Sequence, residues 1–451
     1  MTAFTSCNPA TGEVVYTRAA WPESQLPVAL AQLRSAQRRW RAQSVAERAA
    51  QLLRVADQLQ AHREELAGLV TLEVGKRTAE CLAEIDKSAQ LIRYYAQLAP
   101  ELLASLEIPT QASRSGVAFE ALGTVLAVMP WNYPIWQVLR FAVPALMAGN
   151  ACLVKPAPSV PQSTQRLLEL ARAAGLETLE VAWIDHDQVE EAIRQCDAVA
   201  FTGSTQTGRA IAALAGRHLK KTVLELGGSN PFIVLADADV AAAAQDAANS
   251  RFRDAGQSCN AAKRMILVPE IADAFIAAFC AEAAKLRAGD PRHPATTLSP
   301  LTRADLREAL HAQVLDAVAH GAELRLGGQM PVTPGFFYPA TVLDRVNPDC
   351  RVYHEEVFGP VASILRARDE ADALRLANDT PFGLGASIYS ADKERAWALA
   401  RQIEAGSVFI NRHTSSDLRL PFGGVKSSGY GRELSEFGLY EFVNVKTYWQ
   451  K

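Results

Sequence analysis

Hydrophobic positions recur with a helical period through roughly the first hundred residues. Ser44 and Glu47 have the spacing of a capping box, which marks the start of a helix. We expect the long helical stretch that follows to end at Pro100, because proline cannot donate the amide hydrogen bond of a helix interior. The apolar positions after the capping box recur at helical spacing, at Leu52, Leu53, Ala56 and Leu59.

Beyond about residue 120, short apolar runs alternate with alanine-rich helical stretches. The runs are typical of buried strands, and they span residues 125–128, 152–154, 198–201, 223–226, 232–235 and 265–268. This alternation predicts an α/β fold with largely parallel sheets, and a second α/β domain from about Leu226. The tail, residues 441–449, has an alternating pattern that predicts a terminal strand able to pair with another subunit.

Composition excludes several classes of protein. The 46 basic and 49 acidic residues give a net charge of −3. The chain therefore lacks the excess of positive charge that binding to a nucleic acid or an acidic membrane surface requires. Seven scattered cysteines without a CxxC pair indicate a reduced, intracellular protein with no zinc motif. No apolar run reaches the roughly 18 residues that span a bilayer. We expect a cytoplasmic protein without a metal, nucleic-acid or membrane partner.

Three residues are candidates for catalysis. Cys259 follows a glycine-containing turn, where a thiolate can be favoured, although a lone cysteine is commonly buried and inert. Glu225 lies between apolar residues at a strand end, where burial raises a carboxyl pKa towards that of a useful base, although strand-end charges are common. Asn132 lies in a loop between two prolines, where its amide can donate to an oxyanion or to the turn backbone.

Two further segments have the chemistry of a phosphate or nucleotide contact. Gly203 and Ser204 follow an apolar run and precede a helical stretch, so free amide groups there can bind an anion. A plain strand-turn-helix uses similar residues, and the full dinucleotide pattern is not present. Lys155 ends another apolar run, where it is either a ligand contact or a solvated lysine.

Together these segments resemble the aldehyde dehydrogenases, over nearly the whole chain. The motifs occur in that family's order: PWNYP at 130–134, AGN at 148–150, FTGS at 201–204, ELGG at 225–228, GQSC at 256–259, EVFGP at 356–360 and PFGG at 421–424. The chain is most similar to the compact bacterial branch of the family that acts on succinic semialdehyde.

The resemblance implies an architecture. It implies a Rossmann-like cofactor domain from residues 1–113 and 133–226, and an α/β catalytic domain from residues 227–420. Residues 114–132 and 421–451 would form a small β element for oligomerisation, and the assembly would be a homodimer or homotetramer.

The resemblance also assigns catalytic roles. Cys259 would attack the aldehyde carbon, and its backbone N–H and the Asn132 amide would hold the oxyanion. A hydride would pass to NADP or NAD and leave a thioester. Glu225 would then activate the water that hydrolyses this thioester.

Cofactor contacts follow from the same resemblance. They fall on Trp131, Lys155, Gly203, Ser204, Glu356 and Phe358. Relatives that prefer NAD often carry a glutamate three residues after the lysine, but here that position is Pro158, followed by Ser159. Without that carboxylate a 2′-phosphate has room, so both NADP and NAD are allowed.

The substrate side contains two arginines, Arg140 and Arg253, at positions that are commonly apolar or aromatic in the family. Burying two guanidinium groups without partners is costly, and a substrate carboxylate could pair with them. The succinic semialdehyde branch has arginine at both places, with Trp136 and Ser415 or Ser416 as further contacts. Pairing of the arginines with acids of the protein is the alternative.

Other readings remain open at this level. The loop at residues 412–414 is bulkier and more basic than in the branch, so glutaric semialdehyde or an aromatic or aliphatic aldehyde is an alternative substrate. A CoA-acylating enzyme, a cofactor-free cysteine hydrolase and a non-catalytic structural protein on the same fold are the remaining alternatives.

Overall fold

The computed structural model describes residues 3–451, in which helices and strands alternate beyond the N-terminal helices. The helices are α1 (Gln25–Arg41), α2 (Val45–Ala61), α3 (Arg63–Val74), α4 (Thr78–Leu102), α5 (Trp136–Met147), α6 (Pro161–Ala173), α7 (Val189–Gln195), α8 (Thr205–Arg217), α9 (Val240–Phe252), α10 (Pro269–Ala284), α11 (Ala304–Ala319), α12 (Arg351–His354), α13 (Glu370–Asn378), α14 (Lys393–Ala400) and α15 (Ser435–Tyr440).

The strands form three larger sheets and two separate antiparallel pairs, β1 with β2 and β15 with β18. They are β1 (Ala3–Cys7), β2 (Val14–Ala19), β3 (Leu106–Glu107), β4 (Arg114–Ala121), β5 (Thr124–Val128), β6 (Ala151–Lys155), β7 (Leu179–Val181), β8 (Ala198–Thr202), β9 (Lys221–Glu225), β10 (Asn230–Val234), β11 (Ala262–Leu267), β12 (Glu323–Leu326), β13 (Thr341–Asp344), β14 (Val361–Arg366), β15 (Phe382–Gly383), β16 (Gly385–Tyr389), β17 (Ser407–Ile410), β18 (Val425–Lys426), β19 (Gly429–Tyr430) and β20 (Val443–Gln450).

The first large sheet has the order β19-β9-β8-β5-β6-β7, and all its strands are parallel except β19. Alternate residues of one strand enter different cores, as Val125 and Leu126 do in β5. Helices therefore cover both faces, which explains why the strands appear in the sequence as continuous apolar runs. The four predicted runs from 125–128 to 223–226 are confirmed as β5, β6, β8 and β9.

The second large sheet has the order β12-β13-β14-β11-β10-β16-β17, with only its edge strand β12 antiparallel. The runs at 232–235 and 265–268 are confirmed here as β10 and β11. Residues 226–229 connect β9 of the first sheet to β10 of the second. The chain therefore crosses between the two α/β units directly after Glu225.

A small antiparallel sheet, in the order β20-β4-β3, joins the tail to residues 106–121. β20 pairs with β4 along its whole length, from Val443 opposite Ala121 to Gln450 opposite Arg114. The terminal strand predicted from the sequence is confirmed, and its partner strand lies in the same chain.

Two predictions for the N-terminal region need correction. The capping box is present, since the Ser44 hydroxyl accepts from the Glu47 amide at 3.2 Å, but α4 continues past Pro100 to Leu102. A proline so close to the helix end removes one hydrogen bond only, and the Leu103 amide still closes the last turn on Ala99. β1 and β2 precede the helices, in a segment expected to be helical.

The sheet topology bears on the proposed domain division. β5 lies inside the first large sheet, although the division put residues 114–132 in the oligomerisation element, and β19 of the tail pairs with β9. We keep the three-part division as a proposal, with β5 and β19 assigned to the cofactor domain. Within residues 3–451, no helix has the length and apolar character needed to cross a bilayer.

Candidate active site

Two cavities meet at Cys259, and nearly all the candidate site residues line one of them. The cavity named here after Glu356 is bounded by Trp131, Asn132, Gly203, Ser204, Glu225, Glu356 and Phe358. The cavity named here after Arg140 is bounded by Trp136, Arg140, Arg253, Ser415 and Ser416. Cys259 and Gln137 line both cavities. A ligand in either cavity therefore reaches the same thiol.

The turn before Cys259 is conformationally strained. Asp254 and Ala255 have φ angles of 51° and 53°, and Gly256 follows with φ 72°. Left-handed backbone at two non-glycine residues costs free energy, so the surrounding contacts must hold this turn. One of them is the Arg251 guanidinium, which donates to the Gly256 carbonyl at 2.6 Å.

Burial raises the pKa of the Cys259 thiol to about 11, and the negative charges of Glu225 and Glu356 add to this. The cations Arg140 and Lys263 act in the opposite direction. At neutral pH the thiol is therefore protonated, and it needs a base before it can act as a nucleophile.

Glu225 has the properties of that base. Its carboxylate is buried at the end of β9, and neither oxygen has a hydrogen-bond partner. Burial and the nearby Glu433 raise its pKa to about 8, against the opposing charges of Arg140 and Arg432. A carboxylate with this pKa exchanges protons near neutral pH.

Asn132 is buried and held at both of its ends. Its side-chain Nδ2 donates to the Gln257 carbonyl at 2.9 Å, and its backbone carbonyl accepts from Lys76 Nζ at 3.3 Å. A side-chain amide has two N–H donors, so the bond to Gln257 leaves one for an oxyanion. Asn132 can therefore bond the backbone of the turn and stabilise an oxyanion at the same time.

A buried charge pair fixes the loop that carries Asn132. Lys76 Nζ lies 2.7 Å from a Glu84 oxygen and 3.6 Å from the centre of the Tyr133 ring. The other Glu84 oxygen accepts from the backbone amides of Ile135 and Trp136, which begin α5. Sequence reasoning missed this pair, because Lys76 and Glu84 are far from the loop in the chain and belong to no motif.

Hydrogen bonds and an aromatic contact also hold the wall of the Glu356 cavity. Glu356 accepts from the Gly228 amide at 3.0 Å and from the ammonium of Lys263, which is fully buried. The Trp131 and Phe358 rings meet edge to face with their centres 5.8 Å apart. Lys263 follows the nucleophile by four residues, and nothing in the sequence pattern distinguished it from a surface lysine.

Arg140 and Arg253 differ in burial and in their acidic partners. Arg140 is buried, and its Nε lies 2.5 Å from a carboxylate oxygen of Glu433, an ion pair without an aligned hydrogen bond. The alternative of a protein acid as partner therefore holds for Arg140, although its Nη2 has no hydrogen-bond partner. The expectation of burial is wrong for Arg253, whose side chain is 55% exposed at the mouth of the cavity, 3.4 Å from Asp254.

Relatives of known activity match this chain from end to end. The sequence profile of the aldehyde dehydrogenase family matches residues 1–448. The chain belongs to the aldehyde dehydrogenase family. The NAD(P)⁺ succinate semialdehyde dehydrogenase of Escherichia coli strain K12 is 44% identical, covering 99% of this chain and 97% of that protein. An NADP⁺ succinate-semialdehyde dehydrogenase of Deinococcus radiodurans is 42% identical, covering 98% of this chain and 94% of its own length.

Solved structures confirm the aldehyde dehydrogenase fold expected from the motifs. The succinic semialdehyde dehydrogenase of Streptococcus pyogenes, in complex with NADP⁺, has a TM-score of 0.96 to this chain at 37% identity, covering 99% of both chains. A structure of Gox0499, studied for its cofactor and substrate selection, has a TM-score of 0.97 at 38% identity.

The aldehyde dehydrogenase cofactor fits the residues present. Gly203 and Ser204 lie at the N-terminus of α8, whose amide groups suit a pyrophosphate. The Ser159 hydroxyl is buried without a hydrogen-bond partner, as expected of a side chain that has a ligand to bind. Lys155 ends β6, and burial lowers its pKa to about 8 against the charge of Asp185. Lys155, Pro158 and Ser159 do not line the Glu356 cavity, and Pro158 is exposed.

Proposed function

We propose that this aldehyde dehydrogenase oxidises succinic semialdehyde to succinate, with NADP or NAD as the hydride acceptor. One observation carries the proposal: a nucleophilic thiol lies between a cavity suited to a nicotinamide cofactor and a cavity lined by two arginines that retain donors for a carboxylate. The named activities of the relatives support the same substrate.

The first half-reaction begins with proton transfer from Cys259. Ionised Glu225 accepts the thiol proton, and the thiolate attacks the aldehyde carbon. The remaining Asn132 N–H and the Cys259 backbone N–H stabilise the oxyanion, and the Lys76–Glu84 pair keeps the Asn132 loop in position. When bound in the Glu356 cavity, a nicotinamide supplies the hydride acceptor for the chemistry at Cys259.

The second half-reaction hydrolyses the thioester on Cys259. Glu225 first releases the thiol proton to solvent. Its carboxylate, with two unpartnered oxygens, is then able to take a proton from an attacking water. Return of the proton to the sulfur regenerates the thiol. A base at this position favours hydrolysis over transfer of the acyl group to a second thiol, so a CoA-acylating activity is less consistent with the site.

The Arg140 cavity would hold the far end of the substrate. Arg253 at its mouth and the free Nη2 of Arg140 can both donate to a carboxylate. A neutral aldehyde gives these cations nothing to bind. Glutaric semialdehyde carries the same acid one methylene further from the aldehyde and remains the alternative substrate.

The proposal extends to the location of the enzyme in the cell and to its assembly. The sparse, scattered cysteines support a cytoplasmic enzyme, and the exposed terminal strand β20 supports a homodimer or homotetramer.

A panel of aldehydes, assayed with NADP and with NAD by absorbance of the reduced cofactor, tests the proposal. Succinic semialdehyde should exceed butanal in kcat/KM by at least tenfold, because one charge-assisted hydrogen bond contributes about 1.5–3 kcal/mol. Cys259→Ala should abolish turnover while cofactor binding remains. Equal kcat/KM for the semialdehyde and butanal, or turnover by the Ala variant, would contradict the proposal.

A further inference from the structure

Lys87 is a charged residue of the Arg140 cavity that no motif indicated. It lies in α4, and its Nζ donates to both the carbonyl at 3.0 Å and the hydroxyl of Ser416. The same Nζ lies 4.5 Å from the centre of the Trp136 ring. Lys87 therefore touches two of the residues assigned to the substrate, from an element of the N-terminal region.

The acids that line this cavity already have cationic or amide partners. Glu84 is paired with Lys76, and Glu80 lies 2.6 Å from Arg77 and accepts from the Asp254 amide. Asp254 accepts from the Tyr133 hydroxyl and lies 3.7 Å from Lys76. None of these carboxylates is available to neutralise Lys87.

Lys87 itself has only neutral acceptors. Both of its hydrogen bonds go to Ser416, and within residues 3–451 we find no carboxylate in ion-pair contact with its ammonium group. Arg140, by contrast, has Glu433, and Arg253 has Asp254 and the solvent. Lys87 is thus the cation of the cavity with the greatest need of an anion.

The electrostatics agree with this geometry. Burial lowers the pKa of Lys87 to about 8, and the positive charges of Arg140 and Arg253 contribute, with Asp417 opposing them. Each arginine is thus close enough to affect the ammonium group, so the three cations converge on one volume. An anion placed there would interact favourably with all of them.

We propose that Lys87 binds the carboxylate of the substrate, together with Arg253 and Nη2 of Arg140, and that it sets the preference for aldehydes that carry a terminal acid. This inference rests on the proposed function and adds a residue to its substrate site. Ser416 acts through Lys87 by holding the ammonium group over Trp136.

The competing explanation is structural, because the bonds to Ser416 also tie the loop at residues 413–416 to α4. Substrate choice separates the two roles. Loss of a carboxylate contact affects succinic semialdehyde alone, whereas a displaced loop affects butanal as well, since both substrates use the same thiol.

Lys87→Met keeps the length of the side chain and removes its charge, and Lys87→Arg keeps the charge. We expect Lys87→Met to raise KM for succinic semialdehyde at least tenfold while kcat/KM for butanal stays within about twofold of wild type, as expected for one charge-assisted hydrogen bond. Lys87→Arg should recover most of the loss. Arg93→Met, on an exposed part of the same helix, is the matched control and should behave as wild type.

A second measurement can be made on the wild-type enzyme alone, with Lys87→Met as a further comparison. KM for succinic semialdehyde should rise between pH 7 and pH 9 as Lys87 loses its proton, whereas KM for butanal should not. In Lys87→Met the rise should vanish. This pH profile tests the inference even if the Met variant does not fold.

Three outcomes would overturn the inference. They are an unchanged KM in Lys87→Met, an equal loss on both substrates, and a wild-type KM for the semialdehyde that is flat across this pH range. Failure of the proposed function looks different, because wild type itself would then show no preference for the semialdehyde over butanal.

Discussion

Glu225 and Glu433 are two buried carboxylates that both feel the positive charge of Arg140. Burial raises the pKa of both, and Glu433 adds its negative charge to the environment of Glu225. Arg140 is in ion-pair contact with Glu433, which leaves the Glu225 oxygens without a partner. An unpartnered buried carboxylate is costly for stability, so its presence beside the nucleophile is best explained by catalysis.

The pKa of Glu225 predicts how deacylation depends on pH. A base acts when ionised, so with a pKa of about 8 the hydrolysis of the thioester should accelerate as pH rises from 6.5 to 9. Wild-type enzyme should then release a burst of reduced cofactor at the low end of this range, and the burst should disappear at the high end. Rapid mixing with absorbance detection measures both phases.

Glu225→Gln should show that burst at every pH. The substitution removes the base for both half-reactions, but it also removes a negative charge that raises the pKa of Cys259, so the thiol ionises more readily and acylation should slow less than hydrolysis. Steady-state turnover should fall by at least a hundredfold, within the range for losing a general base. If acylation and turnover fall by the same factor without a burst, the role of Glu225 in activating water is contradicted and only its role at the thiol remains.

The two arginines should respond differently to substitution. Arg253 is exposed, so Arg253→Ala should reduce kcat/KM for succinic semialdehyde about ten- to a hundredfold, spare butanal, and leave the melting temperature unchanged. Arg140→Ala leaves Glu433 buried without its partner, which costs about 3–5 kcal/mol and should lower the melting temperature and damage both substrates. Calorimetry and kcat/KM for both substrates, measured on each variant, check this. Identical effects of the two variants would contradict the different roles given to Arg140 and Arg253.

At the residue scale, the sequence predicted the groups that belong to contiguous motifs. Cys259, Glu225 and Asn132 were found because their neighbours form recognisable segments. Glu433 and Lys87 were not found, because each reaches the site from a distant element, and a single charged residue has no periodic pattern. Tertiary packing alone brings such residues together.

At the element scale, the site is built from strand ends. The sheet contains four parallel strands, β5, β6, β8 and β9. Their carboxyl ends therefore lie on the same side of the sheet, and this is where Asn132, Lys155, Gly203 and Glu225 are found. The sequence located these strands because strands covered on both faces are continuously apolar. It misplaced the boundary near β5, because adjacent β4 is a half-exposed strand of another sheet, and one short turn separates them.

The nucleophile comes from the other unit. Its loop lies between α9 and β11 and depends on contacts with both units, such as the Asp254 amide bonded to Glu80 of α4. No local pattern predicts the left-handed conformation of Asp254 and Ala255, since aspartate adopts it only occasionally and alanine disfavours it. The strain is a product of the assembled fold and not of the segment.

At the scale of the whole molecule, the small sheet formed by β20, β4 and β3 is incompletely covered. Beyond Val443, every residue of β20 is exposed, and the strand lies at the edge of its sheet. Three of its exposed side chains are large and apolar, namely Val445, Tyr448 and Trp449. A long apolar edge strand favours pairing with another chain, so we propose this sheet as the joint between subunits.

Removing the residues after Glu441 should give monomers or insoluble protein, measured by light scattering after size-exclusion chromatography. Because that truncation also strips β4 of its partner, a gentler variant is needed. Val445→Lys with Trp449→Lys keeps the backbone pairing with β4 and places two like charges on one face of β20, which should separate the subunits while each stays folded. Leu324→Lys, at an exposed leucine of β12 in the other sheet, is the control and should leave the assembly intact. A double variant that remains oligomeric would show that the subunits meet elsewhere, and a monomeric wild type would remove the proposal of an oligomer.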